Sequence, residues 1–212
     1  MNTFSATGCI KFGWETFKKR PWFLVGGFVL TVVASSILNA IISNMLGQEG
    51  TGGLFAFLLS MCVQTLVSIG TVSFALKAND AVESVVIADL WRPQFFLNYL
   101  VMSVLFFVLA MIGLVLLIVP GVIVLLTFYF AGYVVVDRAQ GPIAAMKESM
   151  RITKGHRWEI LIFLLLVLLL NILGAIALVV GLFVTVPVTL IAAAHAYRAL
   201  ERAVGEVTQV SV

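Results

Sequence analysis

The sequence predicts an all-α, polytopic integral membrane protein with six transmembrane helices in a single membrane domain over residues 1–212. Hydrophobic residues make up 62% of the chain and charged residues only 11%, whereas a soluble domain carries roughly 25% charged residues. Long apolar runs alternate with short polar segments. Because no long polar stretch remains outside these runs, a sizeable soluble domain is excluded.

The N-terminal segment, residues 3–20, predicts a short amphipathic helix on the membrane surface. Its apolar face, at spacings i, i+3, i+4 and i+7, consists of Ile10, Gly13, Trp14 and Phe17. Pro21 should end this helix. The first span follows at about 22–46, which is longer than a signal-peptide core. Glycines at 47–53 predict a loop, and the second span covers about 54–78.

The polar segment 79–94 is compatible with a second interfacial helix. The next apolar run, 95–136, has about 42 residues and would measure about 63 Å as one helix, about twice the hydrocarbon core. It must therefore cross twice. Pro120-Gly121 is the predicted turn, which gives spans at about 95–118 and 121–136.

The segment 137–157 predicts a third amphipathic helix. Pro142 suits a first helical turn, and Gly155 suits the C-terminal cap. The predicted apolar stripe consists of Ile143, Met146 and Met150. The apolar run that follows is again too long for one crossing, so two spans are expected at about 158–179 and 182–200. Their turn should fall between Gly174 and Gly181.

The distribution of positive charge tests this layout independently. Six spans place the segments 1–21, 79–94, 137–157 and the tail after residue 200 on one side. All 13 Lys and Arg residues lie in or next to those segments. The positive-inside rule therefore predicts that both termini are cytoplasmic. Four aromatic anchors fall at the same interface: Trp14, Trp22, Trp91 and Trp158.

The order of amphipathic segment, basic residues, aromatic residue and span pair occurs three times. It predicts three helical hairpins that enter from the cytoplasmic side with interfacial amphipathic helices between them. Three parallel repeats around a pseudo-threefold axis are one interpretation. A hairpin protein without internal symmetry is the other.

Polar residues inside the spans are few. No charged residue lies near the middle of any span, which counts against a proton-coupled transporter. Gln64 in span two and Asn171 in span five are the central polar residues. Each is a candidate either for a helix–helix hydrogen bond or for a substrate contact.

Catalytic and cofactor motifs are missing from the sequence, which contains neither HExxH nor GxSxG nor GxxxxGK[ST]. His156 and His195 have no cysteine or paired carboxylate nearby in the sequence, so no metal site is predicted. We therefore expect neither an enzyme nor a bound cofactor. The net charge of +3 is attributed to topology and does not predict a nucleic-acid partner.

Two basic clusters beside tryptophans are candidate contacts for anionic lipid headgroups or for a partner protein. The first consists of Lys18, Lys19, Arg20 and Trp22. The second consists of Lys154, His156, Arg157 and Trp158. Ordinary topology anchoring is the alternative interpretation of both.

A set of residues in the C-terminal half resembles a large group of bacterial membrane proteins. The set is Pro120-Gly121, Asp137, Gly141-Pro142, Ser149, Lys154-Gly155, Pro187 and Tyr197-Arg198. The group includes the membrane domain attached to some glycerophosphoryl diester phosphodiesterases and standalone six-span proteins of unknown function. The similarity covers about residues 100–200. It implies a six-span fold in a bacterial cytoplasmic (inner) membrane. It transfers no catalytic residue, because catalysis in the fused proteins belongs to a separate soluble domain.

These observations favour a non-enzymatic membrane protein that acts as a scaffold or accessory subunit with a lipid-organising role. Its expected partners are membrane lipids with anionic headgroups and other membrane subunits. The alternative is a transporter or channel for a small or lipidic solute, with a cavity between the three hairpins and contacts from Gln64 and Asn171.

Overall fold

The computed structural model describes residues 4–47, 50–177 and 180–210. Residue 3 of the predicted surface helix, residues 48–49 of the predicted loop and residues 178–179 of the fifth predicted span lie outside these ranges. Within them, six helical segments are long and apolar enough to cross a membrane: Pro21–Leu46, Thr51–Ser84, Ile87–Val115, Val119–Arg138, Arg157–Ile176 and Leu182–Gly205. The prediction of an all-helical fold with six helices suited to membrane spans is therefore confirmed.

The described residues contain α-helices and short 3-10 turns and no strand. The α-helices are α1 (Ala6–Lys19), α2 (Pro21–Leu46), α3 (Gly50–Ala81), α4 (Phe96–Leu116), α5 (Ile118–Phe128), α6 (Ala131–Arg138), α7 (Pro142–Thr153), α8 (Arg157–Ile176) and α9 (Leu182–Val210). α2 contacts α3, α4 contacts α5, and α8 contacts α9. α9 also contacts α1 and α3, and it forms the centre of the molecule together with α6.

The turn between α4 and α5 lies at Leu117, whose backbone is extended with φ −171° and ψ 152°. The sequence-based prediction that this turn lies at Pro120-Gly121 is therefore wrong by about three residues. Pro120 belongs to the first turn of α5, where a missing N–H costs no hydrogen bond. Gly121 serves packing, because a Cβ added there would lie 3.0 Å from the Leu114 Cα on α4.

The segment after α3 forms three 3-10 turns, Val82–Ser84, Ile87–Leu90 and Pro93–Phe95. The interfacial helix considered for residues 79–94 is therefore not present there. A buried carboxylate holds the segment on α3: Asp89 Oδ1 lies 2.8 Å from Lys77 Nζ, and its Oδ2 accepts a hydrogen bond from the Val86 N–H at 2.9 Å. Satisfying this buried group favours the folded-back turns over a continuous helix.

α1 packs against α9 with a face that only partly matches the predicted one. Of the predicted residues, Gly13 and Phe17 are buried and Ile10 packs against the core, whereas Trp14 is exposed. The other buried residues of α1 are Cys9 and Thr16. The contact is close because Gly13 has no Cβ: an added Cβ would lie 2.5 Å from the Val188 carbonyl oxygen. Small residues therefore determine this interface, which the pattern of large apolar residues did not indicate.

α7 begins with Pro142 and is followed by Gly155 at φ +91°, as expected from both residue types. Its predicted apolar stripe is only partly right, because Met146 is buried but Ile143 and Met150 are exposed. The other buried residues of α7 are Ala145, Ser149, Ile152 and Thr153. Two of these are hydroxyl residues, which a search for apolar periodicity leaves out.

Candidate functional site

A groove of about 360 Å³ runs between α5 and α8. Its α5 wall consists of Val119, Val122, Ile123 and Leu126, and its α8 wall consists of Arg157, Trp158 and Leu161. Arg157 is therefore the one charged residue among the described residues of a groove lining that is otherwise apolar. This combination suits a molecule with a hydrocarbon part and an anionic part.

α7 positions the charged wall of the groove. The buried Ser149 hydroxyl donates to the Thr127 carbonyl oxygen at 2.8 Å, and the Thr153 hydroxyl lies 3.3 Å from the same oxygen. These bonds satisfy a carbonyl beside the break at the end of α5. They tie the end of α7 to α5, and the reversal at Gly155 then starts α8 against the same helix.

Two cations of the second basic cluster are available to a ligand. Lys154 and Arg157 are exposed, and neither has a carboxylate within 4.0 Å in the part of the chain that the structure describes. Trp158 is 78% exposed beside them. His156 is different, because its Nδ1 lies 2.5 Å from Glu159 Oε2. The predicted cluster is therefore brought together, with His156 bound to its neighbour.

The first basic cluster divides into a structural residue and exposed ones. Arg20 donates to the carbonyl oxygens of Val82 (3.3 Å), Glu83 (2.9 Å) and Val85 (3.4 Å), which joins the α1–α2 junction to the 3-10 segment. Its three bonds make it a poor candidate for a headgroup contact. The other members, Lys18, Lys19 and Trp22, are exposed.

The two intramembrane polar residues do not share an interior site. Gln64 is exposed on α3. Asn171 joins α8 to α9, since its Nδ2 donates to the Val167 carbonyl oxygen at 3.0 Å and lies 3.4 Å from Thr189 Oγ1. Its buried Oδ1 has no hydrogen-bond partner among the described residues. Asn171 therefore lies at the contact between α8 and α9.

The sequence did not indicate the pairing of Asp137. Arg198 Nη1 and Nη2 each lie 2.7 Å from an Asp137 carboxylate oxygen, and Nη2 also lies 2.8 Å from Asp80 Oδ2. The Tyr197 hydroxyl donates to Asp137 Oδ2 at 3.1 Å. These contacts join α3, α6 and α9 at one point.

The network continues from α6 and α9 to α7. Arg138 pairs with Glu201 and, at 2.9 Å, with Glu148. Arg151 Nη2 lies 2.6 Å from Glu148 Oε1. The hydrogen bond from Arg151 holds the pKa of the Glu148 carboxyl below its ordinary value despite partial burial. We define this set as the ion-pair network: Asp80, Asp137, Arg138, Glu148, Arg151, Tyr197, Arg198 and Glu201.

The ion-pair network connects helices to one another. Its four carboxylates and three guanidinium groups face one another at close range. Only the residues Asp137, Tyr197 and Arg198 had drawn attention in the sequence, through the resemblance. Spacing alone could not find the pairs, because Asp80, Asp137 and Arg198 are far apart along the chain.

Comparisons with known proteins add no relative: no family model, no curated protein and no solved structure matches this chain. The resemblance over residues 100–200 therefore stays a prediction. The functional assignment depends on the geometry of the groove and of the ion-pair network.

Proposed function

We propose that this chain is a non-enzymatic membrane protein that binds anionic phospholipid and acts as a scaffold or accessory subunit. The observation that carries the proposal is the α5–α8 groove, where the exposed Arg157 and Trp158 stand beside an apolar wall. The exposed Lys154 precedes Arg157 by three residues, and neither cation has a carboxylate within 4.0 Å among the described residues. One acyl chain lies in the groove, and the phosphate contacts the two cations. Trp158 lies at the headgroup level, as is usual for this residue in membrane proteins.

Headgroup charge supplies the selectivity of this site. A lipid chain gains little on leaving other lipid chains for the groove, because both environments are apolar. Attraction between a Lys or Arg and an anionic lipid surface is worth about 1 kcal/mol per cation. Two cations give about 2 kcal/mol, which corresponds to a preference of about 30-fold for an anionic over a zwitterionic lipid.

The proposed arrangement in the membrane has three hairpins, a location in a bacterial cytoplasmic membrane and two cytoplasmic termini. The contacts of α2 with α3, α4 with α5 and α8 with α9 support the hairpins. The confinement of all 13 Lys and Arg to four segments supports the orientation. In this arrangement the ion-pair network lies on the cytoplasmic side.

The positions of the intramembrane polar residues favour a scaffold over a transporter. The transporter hypothesis relied on Gln64 and Asn171, of which the first is exposed and the second joins α8 to α9. The ion-pair network joins α3, α6, α7 and α9. These contacts favour one fixed arrangement of the helices over alternating ones.

Native mass spectrometry of the full chain extracted from its own membrane tests the proposal. We expect the wild-type chain to retain an anionic phospholipid, and the double variant K154Q/R157Q to lose it. The variant K147Q, which removes an exposed cation from α7, should retain the lipid. A co-purifying membrane protein would identify the accessory role. A bare monomer, or equal lipid retention by K154Q/R157Q, would contradict the proposal.

A further inference from the structure

A second and larger cleft, of about 510 Å³, lies between α1 and α9. It is separate from the α5–α8 groove and shares no residue with it. Polar side chains in its lining include Ser5, Lys11, Glu15, His195 and Arg202. Its volume falls in the range of small-molecule sites, roughly 300–1,000 Å³.

The charge of the cleft lining is net positive. Lys11 and Arg202 line it together with one acidic residue, Glu15. Among the residues whose side chains the structure describes, which do not include 206–210, none of the three has an oppositely charged group within 4.0 Å. This distinguishes them from the seven charged residues of the ion-pair network, each of which is paired. Two such cations at one cleft favour an anionic ligand.

The orientation of His195 is fixed by a hydrogen-bonded chain behind it. His195 Nδ1 lies 3.0 Å from Asn79 Oδ1, and Asn79 Nδ2 lies 2.9 Å from Asp80 Oδ1. A carboxylate only accepts hydrogen bonds, so the amide nitrogen of Asn79 must face Asp80 and its carbonyl oxygen must face His195. His195 Nδ1 is therefore the donor, and Nε2 is the ring nitrogen left for a ligand.

Two further features belong to the cleft: a ring stack on His195 and the N-terminal end of α1. The imidazole of His195 stacks on Phe12, with 3.9 Å between ring centroids. The first turn of α1 also contributes to the lining through Gly8, behind the N-cap residue Ser5. The end of a helix that carries partial positive charge adds to the attraction that Lys11 and Arg202 exert on an anion.

We propose that the α1–α9 cleft is a binding site for a phosphate-bearing group, held by Lys11 and Arg202, with His195 Nε2 accepting a hydrogen bond from a P–OH or another hydroxyl of the ligand. Arg and Lys are the side chains that bind phosphate most effectively, Arg through a planar fork and Lys as a point charge. The phosphate belongs either to a soluble metabolite or to a lipid headgroup. This proposal goes beyond the proposed function and does not depend on the α5–α8 groove.

Phosphorus NMR titration of the full chain in uncharged maltoside micelles tests the proposal. The background is K154Q/R157Q, so that the α5–α8 groove does not contribute. The soluble probes are inorganic phosphate and glycerol 3-phosphate, and the lipid probe is phosphatidic acid. Binding of the soluble probes assigns the phosphate to a metabolite, and binding of phosphatidic acid alone assigns it to a headgroup; either result supports the site.

Three further variants test the direction in which each charge changes the affinity. K11Q/R202Q should weaken binding at least tenfold. E15Q should tighten it about two- to threefold, because a repulsive charge is removed from the cleft. K147Q is the matched control and should leave the affinity unchanged. Failure of all three probes to bind, or an affinity that K11Q/R202Q leaves unchanged, would overturn the proposal.

Discussion

Arg198 and Asp137 form a two-point ion pair that joins α9 to α6, with both nitrogen–oxygen distances at 2.7 Å. The same guanidinium reaches Asp80 on α3 at 2.8 Å. One side chain therefore fixes the mutual position of three helices. Because both partners of the central pair are largely removed from solvent, disrupting the pair should cost more than disrupting an exposed surface ion pair.

Replacing Arg198 by Lys should lower the free energy of unfolding by about 1–2 kcal/mol, because an ammonium group cannot make the two-point contact. The matched control is R92K. Arg92 makes a single longer contact of 3.5 Å with Asp89 and is more exposed, so its replacement should cost less than about 0.5 kcal/mol. Denaturant titration in micelles measures both. Equal effects would show that the geometry of the Arg198 pair is unimportant.

Replacing Ser149 by Ala should cost about 1–2 kcal/mol, because it removes the donor at 2.8 Å from the Thr127 carbonyl oxygen inside the protein. S84A is the control: the exposed Ser84 hydroxyl bonds only to the Ala81 carbonyl oxygen nearby in sequence. Its loss should be within about 0.5 kcal/mol. Thermal unfolding of both variants in the same detergent measures the two effects. An S149A protein as stable as S84A would contradict the proposed role of Ser149 in tying α7 to α5.

Replacing Gly13 by Ala should destabilise the α1–α9 contact by about 1–3 kcal/mol, because the new Cβ would lie 2.5 Å from the Val188 carbonyl oxygen. G26A is the control on α2. An added Cβ at Gly26 meets nothing within 4 Å, and alanine favours a helix over glycine. We expect G26A to be neutral or stabilising. Limited proteolysis of α1 gives an independent measurement, and G13A should be cleaved faster than wild type.

Protonation of Glu148 should weaken the protein in acid. The ordinary pKa of an unperturbed Glu is about 4.3. In the folded state Arg151 and Arg138 hold the pKa of Glu148 below that value. The stabilisation is therefore complete above that ordinary value and is lost as the pH falls through the lower folded pKa. E148Q should reduce the loss of unfolding free energy between neutral and acidic pH. A pH dependence identical to that of wild type would contradict this assignment.

The fold class was predictable because it depends on the hydropathy and length of each apolar run, and every residue of a run contributes to both. The six spans and the polar segments follow from that sum. Local detail was less predictable. The prediction placed the α4–α5 turn at Pro120, but the break between the two helices lies at Leu117. A proline fits both in the first turn of a helix and in the loop that precedes the helix, so its position alone does not fix the boundary.

The candidate site was predictable only in part, for a different reason. Lys154, Arg157 and Trp158 lie within five residues of one another in the sequence, and Arg157 and Trp158 line the α5–α8 groove. Arg20 looked equivalent, but tertiary contacts with the carbonyl oxygens after α3 give it a structural role. The α1–α9 cleft joins Lys11 to Arg202, and no sequence pattern links residues so far apart.

The most direct test of lipid binding uses Trp158 as its own probe. In a variant that keeps only this tryptophan (W14F/W22F/W91F), brominated phosphatidylglycerol and brominated phosphatidylcholine are compared as quenchers at equal bromine content. We expect stronger quenching by phosphatidylglycerol, a smaller preference in R157Q, its return in R157K and its loss in K154Q/R157Q, with K147Q unchanged. Equal quenching of the wild-type background by the two lipids, or a full preference that survives K154Q/R157Q, would contradict lipid binding at this groove.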